Sequence, residues 1–472
     1  MSQISDCHLS FLFIWLPLSN ISLICNVTIN QMQHAVSLII FNNIFLTSKM
    51  IVDEIFHLPL GKSYCKYNFF VWDPKVTTLP GLYLITAIIL GPLKLCGTYW
   101  LRFLSLAFSI VNVLLFYILF AKYEKNEWGN ILSSITLALL PPLYFFSHFY
   151  YTDVISLTMI LLMLVASEKE HHYIASLFGY CSVFCRQTNI IWVVFLAGKY
   201  VMTELYLIAM KDHVPNIKKG LPAQHIRQLI SELIRYPMKI LASTNLYFWF
   251  HTMSYTAVVV AFLIFLKMNG GIVLGDRTAH QATIHIPQLF YFSLFSLIFA
   301  WPHFVGEVLS FLTFTRKHKK CIFILIILSC VIVLVNTQVH PYMLADNRHY
   351  IFYIWNRFYG KYDIFRYAMV PVYIFSWYCI IKLIYDGNDV SFLILYLICV
   401  TAVLVTQKLI EVRYFFIPYI LFRLRLKSNA NNVFNLILEF VTYLLINAIT
   451  LNLFFTKKIA WANYLDPQRL IW

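Results

Sequence analysis

Charge is the scarcest resource in this chain. Only 12% of its 472 residues are Asp, Glu, Lys or Arg, about half the share usual in soluble domains. Glycine (14) and proline (16) are also sparse, which excludes collagen-like and low-complexity classes. Ten cysteines do not make a disulfide scaffold in a chain this long, and no Cys/His spacing fits a zinc site. What fills the chain instead is apolar: 60% of residues, with a mean hydropathy of +0.71. A soluble chain of this composition would expose most of its Leu, Ile and Phe. The sequence therefore reads as an all-α polytopic membrane protein, folded in an apolar solvent.

The basic excess is +15. In a soluble protein that would raise nucleic acid as a partner. Here basic residues flank spans, set topology and meet anionic membrane lipid, and no nucleic-acid partner is expected. Apolar runs of span length, from 9–29 or 34–50 through 102–121 to 433–455, predict about 12–14 transmembrane helices. The 81–96 run follows Leu79-Pro80-Gly81 and contains Gly91-Pro92, so it reads as a re-entrant or interfacial helix. The N-terminal apolar run has no small-residue cleavage site and reads as a retained anchor.

Dense basic clusters lie at 211–239, 316–320 and 423–427. Even numbers of spans separate them, and Lys122 and Lys125 fall on the same side. The positive-inside rule makes that face cytoplasmic. The opposite face then receives 51–101, 150–153, 186–189, 267–285, 339–366 and 407–413. This divides the chain into an N-terminal transmembrane module (1–205, with the first lumenal loop at 51–101), a basic cytoplasmic linker (206–242) and a C-terminal transmembrane module (243–472). Most cysteines sit inside apolar runs and read as small core residues. Cys65 and Cys96 pair only if both fall on one oxidising face.

The non-cytoplasmic loops concentrate His, Arg, Asp and aromatics. Each charge in hydrocarbon would cost at least ~2.5–3.5 kcal/mol, so these groups line an aqueous cavity or the membrane surface, and together they suggest one composite site. The first loop opens with Asp53-Glu54-Ile55-Phe56-His57. Adjacent carboxylates point in different directions on a helix, so one can face a cavity as a general base while the other pairs. Asp53 is the candidate base and Glu54 the second choice; the structural alternative is an acidic helix start. Trp72-Asp73-Pro74-Lys75 precedes a proline-fixed turn and suits either sugar stacking or an interfacial anchor. Arg186 interrupts two apolar runs. Asn269 to Arg277 is a glycine-bearing loop that ends in Asp276 and Arg277, with His280 and His285 beyond. Leu344-Ala345-Asp346-Asn347-Arg348-His349-Tyr350 is the densest donor cluster, and Glu411-Val412-Arg413 adds another. Asp346–Arg348 and Glu411–Arg413 read equally well as structural ion pairs. No Asp-x-Asp occurs. A carboxylate base with scattered cations, and no acidic pair to hold a divalent metal, suits a lipid monophosphate donor. The phosphate leaving group then needs only charge compensation.

The motifs at 53–59, 72–83, 150–153, 186–192, 269–277, 285–292, 344–350 and 407–419 resemble those of the dolichyl-phosphate-glucose-dependent alpha-1,2-glucosyltransferases of N-glycosylation. The resemblance runs from about residue 50 to Trp472; residues 1–50 do not look like the family's usual start. It implies a GT-C-type glycosyltransferase fold with lumenal loop helices, in the endoplasmic reticulum membrane, multi-pass, with a lumenal active site. It implies inverting transfer of glucose from dolichyl phosphate glucose to a diglucosylated lipid-linked oligosaccharide, with no metal and no cofactor. It makes Asp53, then Glu54, the catalytic carboxylate. Arg348, His349, Arg277 and Arg413 become candidates for the donor phosphate, and His57, Trp72, Asp73, Arg186 and Asp346 for sugar or acceptor contacts. Two rival readings are a lipid or sugar transporter, and a non-enzymatic subunit with an ion-channel partner.

Overall fold

The computed structural model describes residues 22–123, 126–209, 221–275, 277, 283–387, 389–426, 433–460 and 467–472. The retained-anchor reading of the first apolar run, and the predictions that involve Lys125, Lys211, Lys218, Lys219, Asp276, His280 and Lys427, lie outside these residues. Among the described residues the only strands are two-residue pieces. Lys458–Ile459 pairs antiparallel with Gln468–Arg469, Lys458 opposite Arg469. Everything else regular is helical, as an apolar solvent demands of any backbone that crosses it.

Among the described residues, seven helices are long and apolar enough to cross a membrane: Thr98–Lys122, Gln187–Ala209, Leu246–Asn269, Pro287–Val305, Lys319–Asn336, Asp363–Tyr385 and Val433–Thr456. Shorter apolar helices accompany them, including Ala35–Thr47, His172–Cys185 and Val390–Val405, and the 17-residue Thr152–Glu168. Several of the expected 12–14 spans therefore take the form of shorter helices. The 131–149 run breaks into Glu127–Ala138 and Pro141–Phe146. Pro141 and Pro142 cannot donate backbone bonds, and the first pushes the residue before it out of helix. The 410–424 run begins as the 3-10 turn Val412–Phe415 and only then becomes the helix Phe416–Arg423. The run at 81–96 is the nine-residue helix Gly81–Ile89, starting directly after Pro80. At 1.5 Å per residue it extends ~13 Å, too short to cross.

The two ends of the bundle carry different charges. At one end Glu168 accepts Lys122 and Lys199, and Arg425 meets Asp389 at 3.3 Å. Lys122 and Arg425 thus share an end, as the parity of spans predicts. The basic linker is helical where described, as Ala223–Arg235 and Pro237–Ala242, and Leu221 O accepts the N–H of Val390 at this end. The other end gathers the loops at 51–101, 150–153, 186–189, 269–275, 346–350 and 407–413.

One buried ion pair locks the helix that leads away from that second end. Arg423 donates to Glu439 at 2.7–3.1 Å, His303 Nε2 lies 3.1 Å from the same carboxylate, and Tyr443 O–H donates to it at 3.2 Å. Buried charges are tolerated only when paired and hydrogen-bonded in this way. The network ties Phe416–Arg423 to Pro287–Val305 and Val433–Thr456, and so fixes the turn that carries Arg413. On the loop side, a disulfide joins Cys65 to Cys96. It closes the end of the Glu54–Cys65 helix onto the segment that enters the Thr98 helix.

Candidate active site

Asp53 sits at a bend forced by Val52, whose φ of +42° is left-handed. That region is unfavourable for a β-branched residue, and such strain persists only where surrounding contacts over-determine it. Those contacts are visible. The Asp53 N–H donates to Tyr151 Oη at 3.1 Å, and Tyr151 in turn donates to Ile51 O at 3.0 Å.

Glu54 supplies the remaining anchor. Its carboxylate takes Nε and Nη2 of Arg102 at 2.9 and 2.6 Å, the Tyr150 N–H at 2.9 Å and the Ile51 N–H at 3.2 Å. Arg102 also donates to Ser48 O and Lys49 O. Both side chains are 0% exposed. Glu54, the second choice of base, is fully engaged by these partners and closed to solvent, beside the bend at Asp53. The two neighbouring carboxylates thus part ways: Glu54 is enclosed with Arg102, while Asp53 stays partly exposed.

Asp53 keeps its side chain 36% exposed and meets Arg413 Nη2 at 3.0 Å. Arg413 is the hub. It also binds Glu411, lies 3.6 Å from Asp153 Oδ2, and stacks over the Phe146 and Tyr151 rings at 5.5 and 5.4 Å. Asp153 reaches back to Arg186 at 2.8 Å. Arg186 is extended (φ −148°, ψ 121°) between the His172–Cys185 and Ile190–Ala209 helices, which aims it at Asp153 and brings it 6.0 Å from the Tyr414 ring. Thus loops from both halves of the chain contribute carboxylates and guanidinium groups to one cluster.

The cluster fixes its own charge states. Burial pushes the Asp53 carboxyl up, but the Arg413 guanidinium, with smaller help from the His57 and His349 sites, holds it below its ordinary value. Burial works against Arg413 too, yet Glu411, Asp53 and Asp153 keep it firmly cationic. His57 is driven the other way. Burial lowers it to about 4, so at neutral pH it is an uncharged ring hydrogen-bonded through Nδ1 to Tyr83 Oη at 2.6 Å. Arg413 is then the charge that matters most to Asp53.

A narrow cleft of about 20 Å³, roughly one water wide, opens beside this cluster. Asp153, Arg186 and Arg413 line it together with the apolar Leu157, Trp192, Val403 and Ile417. Asp153 Oδ2 is buried there without a hydrogen bond and faces only the longer Arg413 contact.

The other predicted residues distribute around this core. His349 is near enough to act on Asp53 electrostatically. Its Nδ1 donates to Trp472 O at 2.9 Å, and its Nε2 lies 3.7 Å from Asp346. Arg348 is engaged elsewhere: Asp346 takes it in a two-pronged pair at 2.8 and 2.7 Å, and Gln468 takes a third donor. Asp346 is thereby a partner of Arg348, as the ion-pair alternative has it. Glu411–Arg413 is also a pair, but one that leaves Arg413 free to reach Asp53. Arg277 is not brought to the cluster; it is exposed and bound to Asn269 O and Oδ1. His285 clips loops together, its N–H donating to Val405 O. Trp72 lines a separate groove described below, and Asp73 lies in the same turn, accepting the Lys75 N–H. Among the described residues no group of three or more His, Cys, Asp or Glu is placed to hold a metal ion.

Sequence reasoning missed Asp153 and Tyr151 as site residues. Both lie inside the 150–153 motif, but an acid in a helix's first turn has an ordinary explanation. Only its two arginine partners, 33 and 260 positions away in sequence, reveal it.

A family model described as the DIE2/ALG10 family matches residues 47–424. A Drosophila melanogaster protein is 41% identical over 440 residues, covering 92% of this chain and 96% of its own length. A Homo sapiens protein is 37% identical over 447 residues (89% and 93%), and one from Arabidopsis thaliana 30% over 482 (89% and 94%). Each is named Dol-P-Glc:Glc(2)Man(9)GlcNAc(2)-PP-Dol alpha-1,2-glucosyltransferase. No solved structure matches the chain. A match across most of the sequence, with relatives of near-equal length, establishes that this chain belongs to the DIE2/ALG10 family.

Proposed function

We propose that this chain transfers glucose from dolichyl phosphate glucose to the Glc(2)Man(9)GlcNAc(2) lipid-linked oligosaccharide and forms its terminal alpha-1,2 linkage. The observation that carries the reading is the Asp53–Arg413–Asp153–Arg186 cluster, found in a chain whose relatives bear that name. It holds one accessible carboxylate and two guanidinium groups within a few ångströms.

Asp53 accepts the proton of the acceptor 2-hydroxyl as that oxygen attacks C1 of the donor glucose. The C1–O bond to phosphate breaks on the opposite face, so a beta-linked donor gives an alpha product. The electron pair leaves on dolichyl phosphate, and the proton stays on Asp53 until solvent takes it. Arg413 and Arg186 compensate the phosphate charge, with His349 beside them; charge-assisted, two-pronged contacts suit guanidinium to phosphate. Arg413 releases Asp53 as it takes up phosphate, and the carboxylate becomes more basic when it is needed.

The Cys65–Cys96 pair supports a lumenal site in the endoplasmic reticulum, because disulfides persist in oxidising compartments and this one lies in the loop that carries Asp53. The six described unpaired cysteines (Cys181, Cys185, Cys321, Cys330, Cys379 and Cys399) all fall in apolar helices. Nothing in the relatives' names supports an ion-channel partner. The deciding experiment profiles lipid-linked oligosaccharides in cells lacking this protein. Accumulation of the diglucosylated species supports the reading; a normal profile ends it.

A further inference from the structure

A second space opens in the same group of loops, away from the arginines. It is an open groove of about 470 Å³, walled by Trp72, Pro74 and Lys75 on one side and by Leu274 and Gly275 on the other. That volume lies in the range of small-molecule sites. Its walls are held firmly. The Leu274 N–H donates to Thr77 O at 3.1 Å, and Gln187, the neighbour of Arg186, donates to the same oxygen at 2.8 Å. Gly275 allows the two loops to meet: a Cβ there would lie 2.2 Å from Pro74 O and 2.4 Å from Val76 O. Any side chain would force the walls apart.

The groove also connects to the reacting carboxylate. The Trp72 ring packs edge-on against Tyr83 at 6.1 Å, Tyr83 holds His57 at 2.6 Å, and His57 lies within electrostatic reach of Asp53. Phe56, on the first turns of the helix that follows Asp53, carries the Lys75 ammonium 5.2 Å above its ring. Asp73 closes the turn by accepting the Lys75 N–H at 2.9 Å.

Resting on the glucosyltransferase reading, we propose that this groove is the acceptor subsite, binding the sugars of the oligosaccharide that lie just inward of the reacting terminal residue. The chemistry fits carbohydrate. The Trp72 indole offers an apolar face to sugar C–H groups, while Lys75 offers a donor for hydroxyls. The groove is open to water, so a branched chain can leave it. The donor phosphate has its cations elsewhere, at Arg186 and Arg413.

The test uses the full-length protein in nanodiscs, with dolichyl phosphate glucose and the diglucosylated lipid-linked acceptor. Trp72→Ala should raise the acceptor KM about tenfold and leave the donor KM unmoved. Trp72→Phe should recover most of the loss, and Gly275→Val should reproduce it. An unchanged acceptor KM in Trp72→Ala, or a matched rise in both KM values, overturns the subsite. A second measurement separates this from failure of the activity itself. The free Glc(2)Man(9)GlcNAc(2) glycan, released from its lipid, is titrated against wild type and Trp72→Ala by saturation-transfer NMR. Transfer to the glucose protons that disappears in Trp72→Ala upholds the groove even if wild type shows no turnover; equal transfer in both proteins refutes it.

Discussion

Replacing Arg413 with Gln should move the pH dependence of transfer as well as its rate. In the wild type, Asp53 is held below its ordinary value of 3.8 by the guanidinium 3.0 Å away, against the upward push of burial. A pair at that distance is worth ~5.5 kcal/mol at an effective dielectric of ~20 and ~1.4 kcal/mol in bulk water. Asp53 is about one-third exposed, so solvent screening places the working value between these limits, roughly 2–3 kcal/mol. The sign follows from the base's role. Transfer needs the carboxylate ionised, so activity is retained above the folded-state value and lost as pH falls through it. With Arg413 present that loss lies below the ordinary carboxylate range. In the Arg413→Gln variant burial loses its main opponent: His57 is neutral until about pH 4, and His349 remains as a smaller counterweight. The acid limb should then rise above the ordinary carboxylate range. The assay is kcat/KM for Arg413→Gln between pH 4.5 and 8 in reconstituted membranes, at constant ionic strength. A lower rate with an unmoved acid limb would show that Arg413 does not set the state of the base, or that Asp53 is not the base.

Asp53→Asn keeps shape and most packing but cannot accept the proton, so turnover should fall roughly 10²–10⁴-fold while the thermal midpoint holds; wild-type turnover would sink the assignment. Glu54→Gln should act on stability instead. It leaves the Arg102 charge buried and uncompensated, at a cost of about 3–5 kcal/mol, and chemical denaturation in detergent should detect it; an unchanged midpoint would contradict the anchoring role. Cys65 and Cys96 should resist maleimide until a reductant is added, whereas exposed Cys321 reacts at once. With 31 positions between the cysteines, Cys65→Ser should cost about 3–4 kcal/mol, and free labelling of Cys65 in the native protein would refute the pairing. Chelation with EDTA should leave turnover unchanged, because the proposed phosphate charge compensation comes from arginine side chains; strong inhibition that added metal reverses would overturn this.

Local pattern makes some features of the site readable. Pro80 announces where the short Gly81 helix starts, because a proline fixes both its own φ and the conformation before it. The adjacency of Asp53 and Glu54 announces that the two meet different partners, because neighbouring side chains on a helix diverge. Arg186 is readable as a buried break between apolar runs. Arg348 and Asp153 are not readable in this way. A guanidinium two residues from a carboxylate can serve either a partner or a ligand, and the Gln468 side chain that completes the engagement of Arg348 is 120 positions away.

Composition alone determined that this chain lives in a membrane and is helical, because apolar content and backbone satisfaction are properties of the whole chain and need no contact map. The parity of the basic clusters determined which loops would meet at one end. Tertiary structure decided which charge faces which. Asp53 meets Arg413 across 360 positions, and Glu54 meets Arg102 where no water reaches. Whether a carboxylate becomes a base or an anchor depends on solvent access and on the nearest opposite charge, and both quantities exist only once distant segments have packed.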